Sequence, residues 1–259
     1  MARQKKSNHR GRKKRSVKIF WALATFVLVA GAIIGSLTVF LKVSEFDISG
    51  NSVYTKEQII ASSGIKEGDN LFGVNKFEVI EKIKSDFPYI EDVKITRNLP
   101  DTFVFEITER KACGYIEEAD CYWLVDAKGF LLERIEKDVE MSGTFIVAEE
   151  PLITPFAGGE IKWEKNAKKE ILVKLMSELS GRDMMDKITE IDVSAMYSIE
   201  FVYEDRITVV VGTTEDIEKK MNLFDAVLPK LSANDRGKLN VSNKGEARFT
   251  PERIVYDEK

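Results

Sequence analysis

Apolar and polar positions divide this chain into a continuous apolar block near its start and a long patterned body after it. Ile19 to Leu41 are 23 consecutive uncharged residues. As a helix they would span about 34 Å, enough for a bilayer core of roughly 30 Å. The block predicts one membrane helix over 19–41. A cleaved signal peptide is the rival reading, but its apolar region is shorter, and no small-x-small cleavage pattern precedes Lys42.

From Lys42 the periods are those of soluble elements, in the order strand, helix, helix, strand, strand. Phe46 and Ile48 alternate with Asp47 and Ser49 until the turn signal Gly50-Asn51. Thr55 to Gln58 reads as a capping box opening a short helix, with Gly64 as its C-cap. Asn75 to Glu78 opens a second helix, in which Phe77, Ile80, Ile83 and Phe87 form the expected apolar stripe before Pro88 stops it. Val93 and Ile95 mark the next strand. Asn98 to Asp101 turn the chain, and Phe103, Phe105 and Ile107 line one face of the strand that returns.

Beyond Lys111 the body is β-rich with two helices. Leu124 to Leu131 predicts two strands around an Asp126-to-Gly129 turn. Residues 165–180 predict an amphipathic helix with Ile171, Leu172, Leu175, Met176 and Leu179 inward and Gly181 as its stop. Strands follow at 188–194, 198–203 and 206–211, the last two joined through Glu204-Asp205. In the final helix Ile217, Met221, Phe224 and Leu228 share a stripe, and Pro229 ends the helix or kinks it. Glu246 to Phe249, after the turn Asn243-Lys244-Gly245, reads as a terminal strand, and 250–259 as a polar tail.

Charge orients this layout. Residues 1–18 hold nine of the 39 basic residues and no acid, which leaves 30 basic against 43 acidic residues in the remainder, a net charge of -13. A basic tail before a membrane helix places the N-terminus in the cytoplasm and the body outside. A nucleic-acid arm is the other reading of that tail, but it lacks interleaved aromatics and adjoins the membrane block, so lipid contact explains it more simply. Gly31 and Gly35 fit the small-xxx-small pattern of close helix approach in membranes.

Candidate chemistry is sparse. The one histidine is His9, in the tail, which excludes Ser-His and Cys-His catalysis from the body and removes the usual zinc ligands. Carboxylate pairs are as frequent as 43 acids make by chance, and Gly64, Gly68 and Gly73 lack the Gly-Lys-Ser/Thr of a phosphate loop. No enzyme, cofactor, metal site, nucleic-acid partner or small-molecule substrate is expected. Cys113 and Cys121 flank a strand-turn-strand segment. In an oxidising exterior a disulfide between them is one reading, and two free thiols packed as small hydrophobes are the other.

Residues 42–111 resemble a POTRA domain, the βααββ module of exported proteins, and their details are similar to the FtsQ/DivIB family of bitopic bacterial division proteins. The stretches that carry the resemblance are 46–51, 64–72, 87–100 and 107–110, in that order after the membrane helix. Leu124 to Gly129 is similar to the family's Val-Asp-x-x-Gly stretch, 205–212 to its strand before the last helix, and 237–242 to its final core strand, where Asn240 replaces the usual Asp. The resemblance implies an α+β protein with a basic tail (1–18), a transmembrane helix (19–41), a POTRA domain (42–111), a mixed β domain with two helices (112–249) and a tail (250–259). It further implies a non-enzymatic scaffold of the division machinery in the cell membrane at the septum, with partners of the FtsB/DivIC and FtsL type and a link to septal peptidoglycan synthesis. The alternative is a POTRA-bearing export or assembly chaperone that holds clients on exposed strand edges. For the scaffold, Val241, Asn243, Ala247, Arg248 and Phe249 are the expected partner-binding residues, on a strand that would otherwise leave backbone groups unpaired.

Overall fold

The computed structural model describes residues 11–243 and 245–252. Most of the basic tail, His9 and residues 253–259 lie outside the described residues, as does Lys244 within the expected turn. The chain forms two compact units. One runs to Lys82 and includes Val93–Ile107; the other holds Ile83–Asp92 and continues from Thr108.

The first unit opens with helix α1 (Gly11–Phe40). It starts within the basic run rather than at Ile19, because lysine and arginine are good helix formers. Its stretch Lys18–Ser36 is long and apolar enough to cross a membrane, and none of it is buried by the protein. Strands β1 (Glu45–Ser49), β2 (Ile90–Asn98) and β3 (Thr102–Glu109) form a sheet in the order β1-β3-β2, with β1 parallel to β3 from Glu45↔Thr102 to Ser49↔Glu106. Gly50 leaves β1 at positive φ, where a Cβ would stand 2.1 Å from the Ile107 carbonyl oxygen, so only glycine fits.

Helix α2 (Lys56–Ser63) carries the expected capping box, Thr55 with Gln58, and Gly64 ends it in the left-handed region. Phe103, Phe105 and Ile107 are buried with Ile48, Ile59 and Leu71. Helix α3 (Lys76–Asp86) corrects the expected stripe. Phe77 is 81% exposed, and the buried positions are Val79 and Ile83, one turn apart. The rest of the stripe holds, since Ile83 is buried and Ile80 and Phe87 are half-buried; only its first member departs, because Phe77 lies in the first turn, where the helix has few neighbours to cover it.

The second unit is built on nine strands: β4 (Ala112–Glu117), β5 (Cys121–Asp126), β6 (Leu131–Glu136), β7 (Thr144–Val147), β8 (Ile188–Asp192), β9 (Ile199–Tyr203), β10 (Ile207–Gly212), β11 (Gly237–Asn240) and β12 (Arg248–Pro251). Their order is β12-β11-β10-β9-β8-β7-β4-β5-β6. Helices α4 (Asn166–Ser180) and α5 (Ile217–Val227) connect the adjacent parallel pairs β7/β8 and β10/β11. Parallel neighbours need such a crossover, which is why both helices fall where they do.

Leu172, Leu175, Met176 and Leu179 of α4 and Ile217, Met221 and Phe224 of α5 share one core with Phe201, Tyr203, Val209 and Leu239. Gly181 follows α4 but keeps helical φ, and the left-handed residue is Asp183. Between β9 and β10, Arg206 N–H donates to the Tyr203 carbonyl, and both central residues, Glu204 and Asp205, have positive φ. That sign pattern matches the type I′ turn, whose twist suits antiparallel strands.

The Asp126-to-Gly129 turn forms as expected. Asp126 Oδ1 accepts from the backbone N–H of Lys128 (2.9 Å) and of Phe130 (2.8 Å), and Gly129 takes positive φ. The fold is therefore α+β, with a βααββ arrangement followed by a large mixed sheet.

Candidate partner-binding edge

The end of the nine-stranded sheet is made by a β-α-β unit and a return strand. α5 carries the chain from β10 to β11, which lies parallel to β10 from Ile207↔Gly237 to Val210↔Asn240. The chain then reverses through 241–247 and pairs β12 antiparallel to β11, with Asn240↔Arg248, Leu239↔Phe249, Lys238↔Thr250 and Gly237↔Pro251. Asn240 holds this reversal. Its Oδ1 accepts from the Ser242 N–H (2.9 Å) and the Ser242 hydroxyl (2.7 Å), a task an Asp oxygen would also perform.

Two glycines allow the close approach. A Cβ at Gly212 would meet the Ser242 Cβ at 2.9 Å, and one at Gly237 would stand 2.3 Å from the Thr250 carbonyl oxygen, both at positive φ. Beside the turn, Lys220 of α5 is buried and its ammonium donates to the carbonyls of Val211 (3.0 Å) and Thr213 (2.8 Å), fixing the chain where it leaves β10. Sequence reasoning named Gly237 only as the start of the 237–242 strand, and did not single out Lys220. A glycine opening a strand is a signal for the first, whereas a lysine within a helix gives none for the second.

The register decides which backbone groups remain open. Gly237 and Val241 direct their N–H groups to β10, and Glu252 N–H donates to Arg236 O (2.9 Å). Arg236, Lys238 and Asn240 therefore exchange bonds with Glu252, Thr250 and Arg248, and the intervening Phe249 and Pro251 point away from β11. Among the described residues nothing pairs with the outer edge of β12, which thus offers the N–H and C=O of Phe249 and the C=O of Pro251.

The expected site residues separate on this geometry. Arg248 and Asn243 are exposed, and Ala247 is half-buried. Phe249 is half-buried against the core, opposite the fully buried Leu239, so its side chain belongs to the helix-covered face while its backbone faces outward. Val241 is fully buried and gives its N–H to Val210 O (3.0 Å), so its side chain is a core group and not a surface contact. The strand also lies two residues later than Glu246–Phe249. Pro251 sits within it, opposite Gly237, at a position where no ladder N–H is required. Thr250 and Pro251 consequently leave the expected polar tail and join the sheet.

The cysteines do not meet. In the β4-β5 hairpin Glu117 pairs with Tyr122 and Gly114 with Val125, so Cys113 lies at the far end from the turn and accordingly close to Val125 O (3.5 Å from its Sγ). The residue facing Cys121 is near Glu118, which at ~3.3 Å per residue leaves roughly 16 Å to Cys113, well beyond disulfide reach. Both are free thiols. Burial, reinforced by Asp126, pushes the Cys113 thiol up to about 12, and burial also raises Cys121, so both stay protonated and unreactive. Among the described residues no group of three or more His, Cys, Asp or Glu is placed to hold a metal ion.

Comparison with known proteins covers most of the chain. The profile described as "POTRA domain, FtsQ-type" matches residues 41–110, and "Cell division protein FtsQ/DivIB, C-terminal" matches residues 114–246. Cell division protein DivIB of Clostridium acetobutylicum is 30% identical over 212 residues, covering 82% of this chain and 83% of that protein. DivIB of Clostridium tetani is 31% identical over 80% of this chain and 78% of its own. Cell division protein FtsQ of Geotalea daltonii is 27% identical over 74% and 70%. With residues 41–110 matching the FtsQ-type POTRA domain and residues 114–246 the FtsQ/DivIB C-terminal domain, this chain belongs to the FtsQ/DivIB family of cell division proteins.

Proposed function

We propose that this chain is a non-enzymatic, single-pass scaffold of the division machinery, and that the outer edge of β12 takes up an extended segment of an FtsB/DivIC-type subunit as a tenth strand. In this reading the basic N-terminus is cytoplasmic and the body, a domain over 42–111 and a second from 112 that takes in Thr250 and Pro251, stands outside the cell membrane at the septum. FtsL-type contacts and the link to septal peptidoglycan synthesis follow through the captured subunit.

The observation that carries the reading is the open polar row on β12, at Phe249 and Pro251, next to the exposed Arg248. Main-chain pairing supplies affinity to any extended segment, while the flanking arginine and the neighbouring turn supply selectivity. The opposite end of the sheet is less available. There Leu131 N–H donates to Gly159 O and Gly158 N–H to Leu131 O, both at 2.7 Å, so the first part of β6 is already covered. Because the nine strands among the described residues end in two edges and do not close on themselves, the layout favours a scaffold over a barrel-borne assembly factor.

Deletion of 246–259 is expected to abolish capture of the FtsB/DivIC-type subunit from the same organism while the rest of the body keeps its fold. Normal capture by the truncated protein would remove the site from this edge. Protease added to wall-stripped cells checks the orientation, since the body should be digested and a fragment of tail plus helix retained.

A further inference from the structure

The end of the first unit that meets α1 carries exposed apolar side chains of its own. Past Phe40 the chain has no free linker. Leu71 N–H donates to Leu41 O (2.9 Å), Lys42 forms a bridge with Asn70, Val43 N–H donates to Asp69 O (2.9 Å), and Gly68 N–H donates to Val43 O (2.8 Å). The 68–73 loop is thereby tied to the residues that leave the helix.

The β2-β3 turn arrives at the same end. β3 runs parallel to β1 and starts opposite Glu45, and Ser44 N–H donates to Asp101 O (3.0 Å). On these two segments, which are bonded to residues within four of the helix end, Phe72 and Leu99 are each 57% exposed.

Phe72 is held out rather than left loose. Asn70 Oδ1 accepts from the N–H groups of Phe72 (2.8 Å) and Gly73 (3.1 Å), turning the loop sharply beneath the ring. Arg97 donates to the carbonyls of Leu71 (2.6 Å) and Val74 (3.1 Å), with its guanidinium 5.1 Å from the Phe72 ring centre. Folding thus fixes two large apolar groups in the open, beside a cation and Lys42, at the place where the chain enters from an apolar helix. Aromatic and aliphatic tips beside basic groups partition into the boundary between lipid headgroups and acyl chains.

We propose that Phe72 and Leu99 form a membrane-contact site, seated in the bilayer surface around α1 and holding the first outer unit down on the lipid. This rests on α1 spanning the membrane. The occupant is the lipid interface because both segments of the site are hydrogen-bonded to residues 41–44, which directly follow that helix.

The test uses the full chain with Cys113→Ala and Cys121→Ala, reconstituted in vesicles of equal parts phosphatidylcholine and phosphatidylglycerol. Single cysteines at Asn98, beside the site, at Ser52, beyond the far end of β1, and at Val29, within α1, each carry a nitroxide. The relative accessibility of each label to oxygen and to a water-soluble nickel chelate reads its depth. The label at 98 should lie between those at 29 and 52, and Phe72→Asp with Leu99→Asp should bring it to the level at 52. A label at 98 as aqueous as that at 52 in the otherwise unsubstituted protein overturns the proposal, whatever the double variant does. If the label at 29 is in the bilayer, the anchor stands and the contact site alone is lost; if 29 is aqueous as well, both fall.

Discussion

Arg110 and Asp126 form a buried ion pair. Arg110 Nη1 lies 2.6 Å from Asp126 Oδ2, and their side chains are only 8% and 5% exposed. The same carboxylate closes the 126–129 turn through its other oxygen, and the guanidinium lies 3.6 Å from the centre of the Phe130 ring. One aspartate therefore shapes a turn and neutralises an arginine that stacks on that turn's last aromatic.

Removing one partner leaves the other charge buried without compensation. Arg110→Ala is expected to destabilise by about 3–5 kcal/mol. In chemical denaturation of the full chain in detergent, a double-mutant cycle with Asp126→Asn should show strong non-additivity. Additive losses would mean that the two side chains act independently.

Gly237→Ala tests the seat of β12. A Cβ there would collide with the Thr250 carbonyl oxygen at 2.3 Å, so β12 should detach from β11 while the rest of the sheet persists. Hydrogen exchange should speed up at Arg248 and Thr250, whose N–H groups face β11, and stay unchanged at Val209. Capture of the partner subunit should fall together with that protection.

In the first unit, Phe105 and Phe77 make a paired comparison. Phe105 is fully buried, and Phe105→Ala should cost about 3–5 kcal/mol. Phe77→Ala, at a position 81% exposed, should stay within about 0.5 kcal/mol. Equal effects in thermal melts would mean that Phe77 is buried as its sequence stripe predicts.

The Cys113 thiol gives a pH signature. Its folded value of about 12 stands above the unfolded 9.0, so the folded state holds the proton more tightly. The stabilisation is complete below pH 9 and is lost as pH rises from 9 to 12. Cys113→Ala should flatten that part of the stability curve. Free-thiol titration of unreduced, unfolded protein should count two thiols.

What could be read from the residues followed from how local each signal is. The capping box at Thr55, the left-handed Gly64 and the turn on Asp126 each depend on contacts within four residues, and all three form as their residue types imply. Helices α4 and α5 were legible because their inward stripes recur over several turns. β7, only Thr144–Val147, is too short to carry a period and is made by its neighbours β4 and β8. The placement of Phe77, the partners of Cys113 and the start of β12 turn on phase or register, where a shift of one or two residues reverses a side chain's surroundings. At the candidate edge the element was legible and its inventory was not: Val241 belongs to the core, and Phe249 contributes its backbone more than its ring.

Pro251 has a consequence for how the molecule lives among its own copies. Two identical free strands brought side by side will zip together if each offers a long alternating row of donors and acceptors, and crowded copies of such a protein would gather into aggregates. β12 gives such a copy one complete residue, Phe249, before proline withdraws the next donor. Self-pairing gains too few bonds to persist, whereas a partner that adds side-chain contacts of its own to that short ladder can hold on. A missing N–H in the last strand thus keeps the edge receptive without making it sticky.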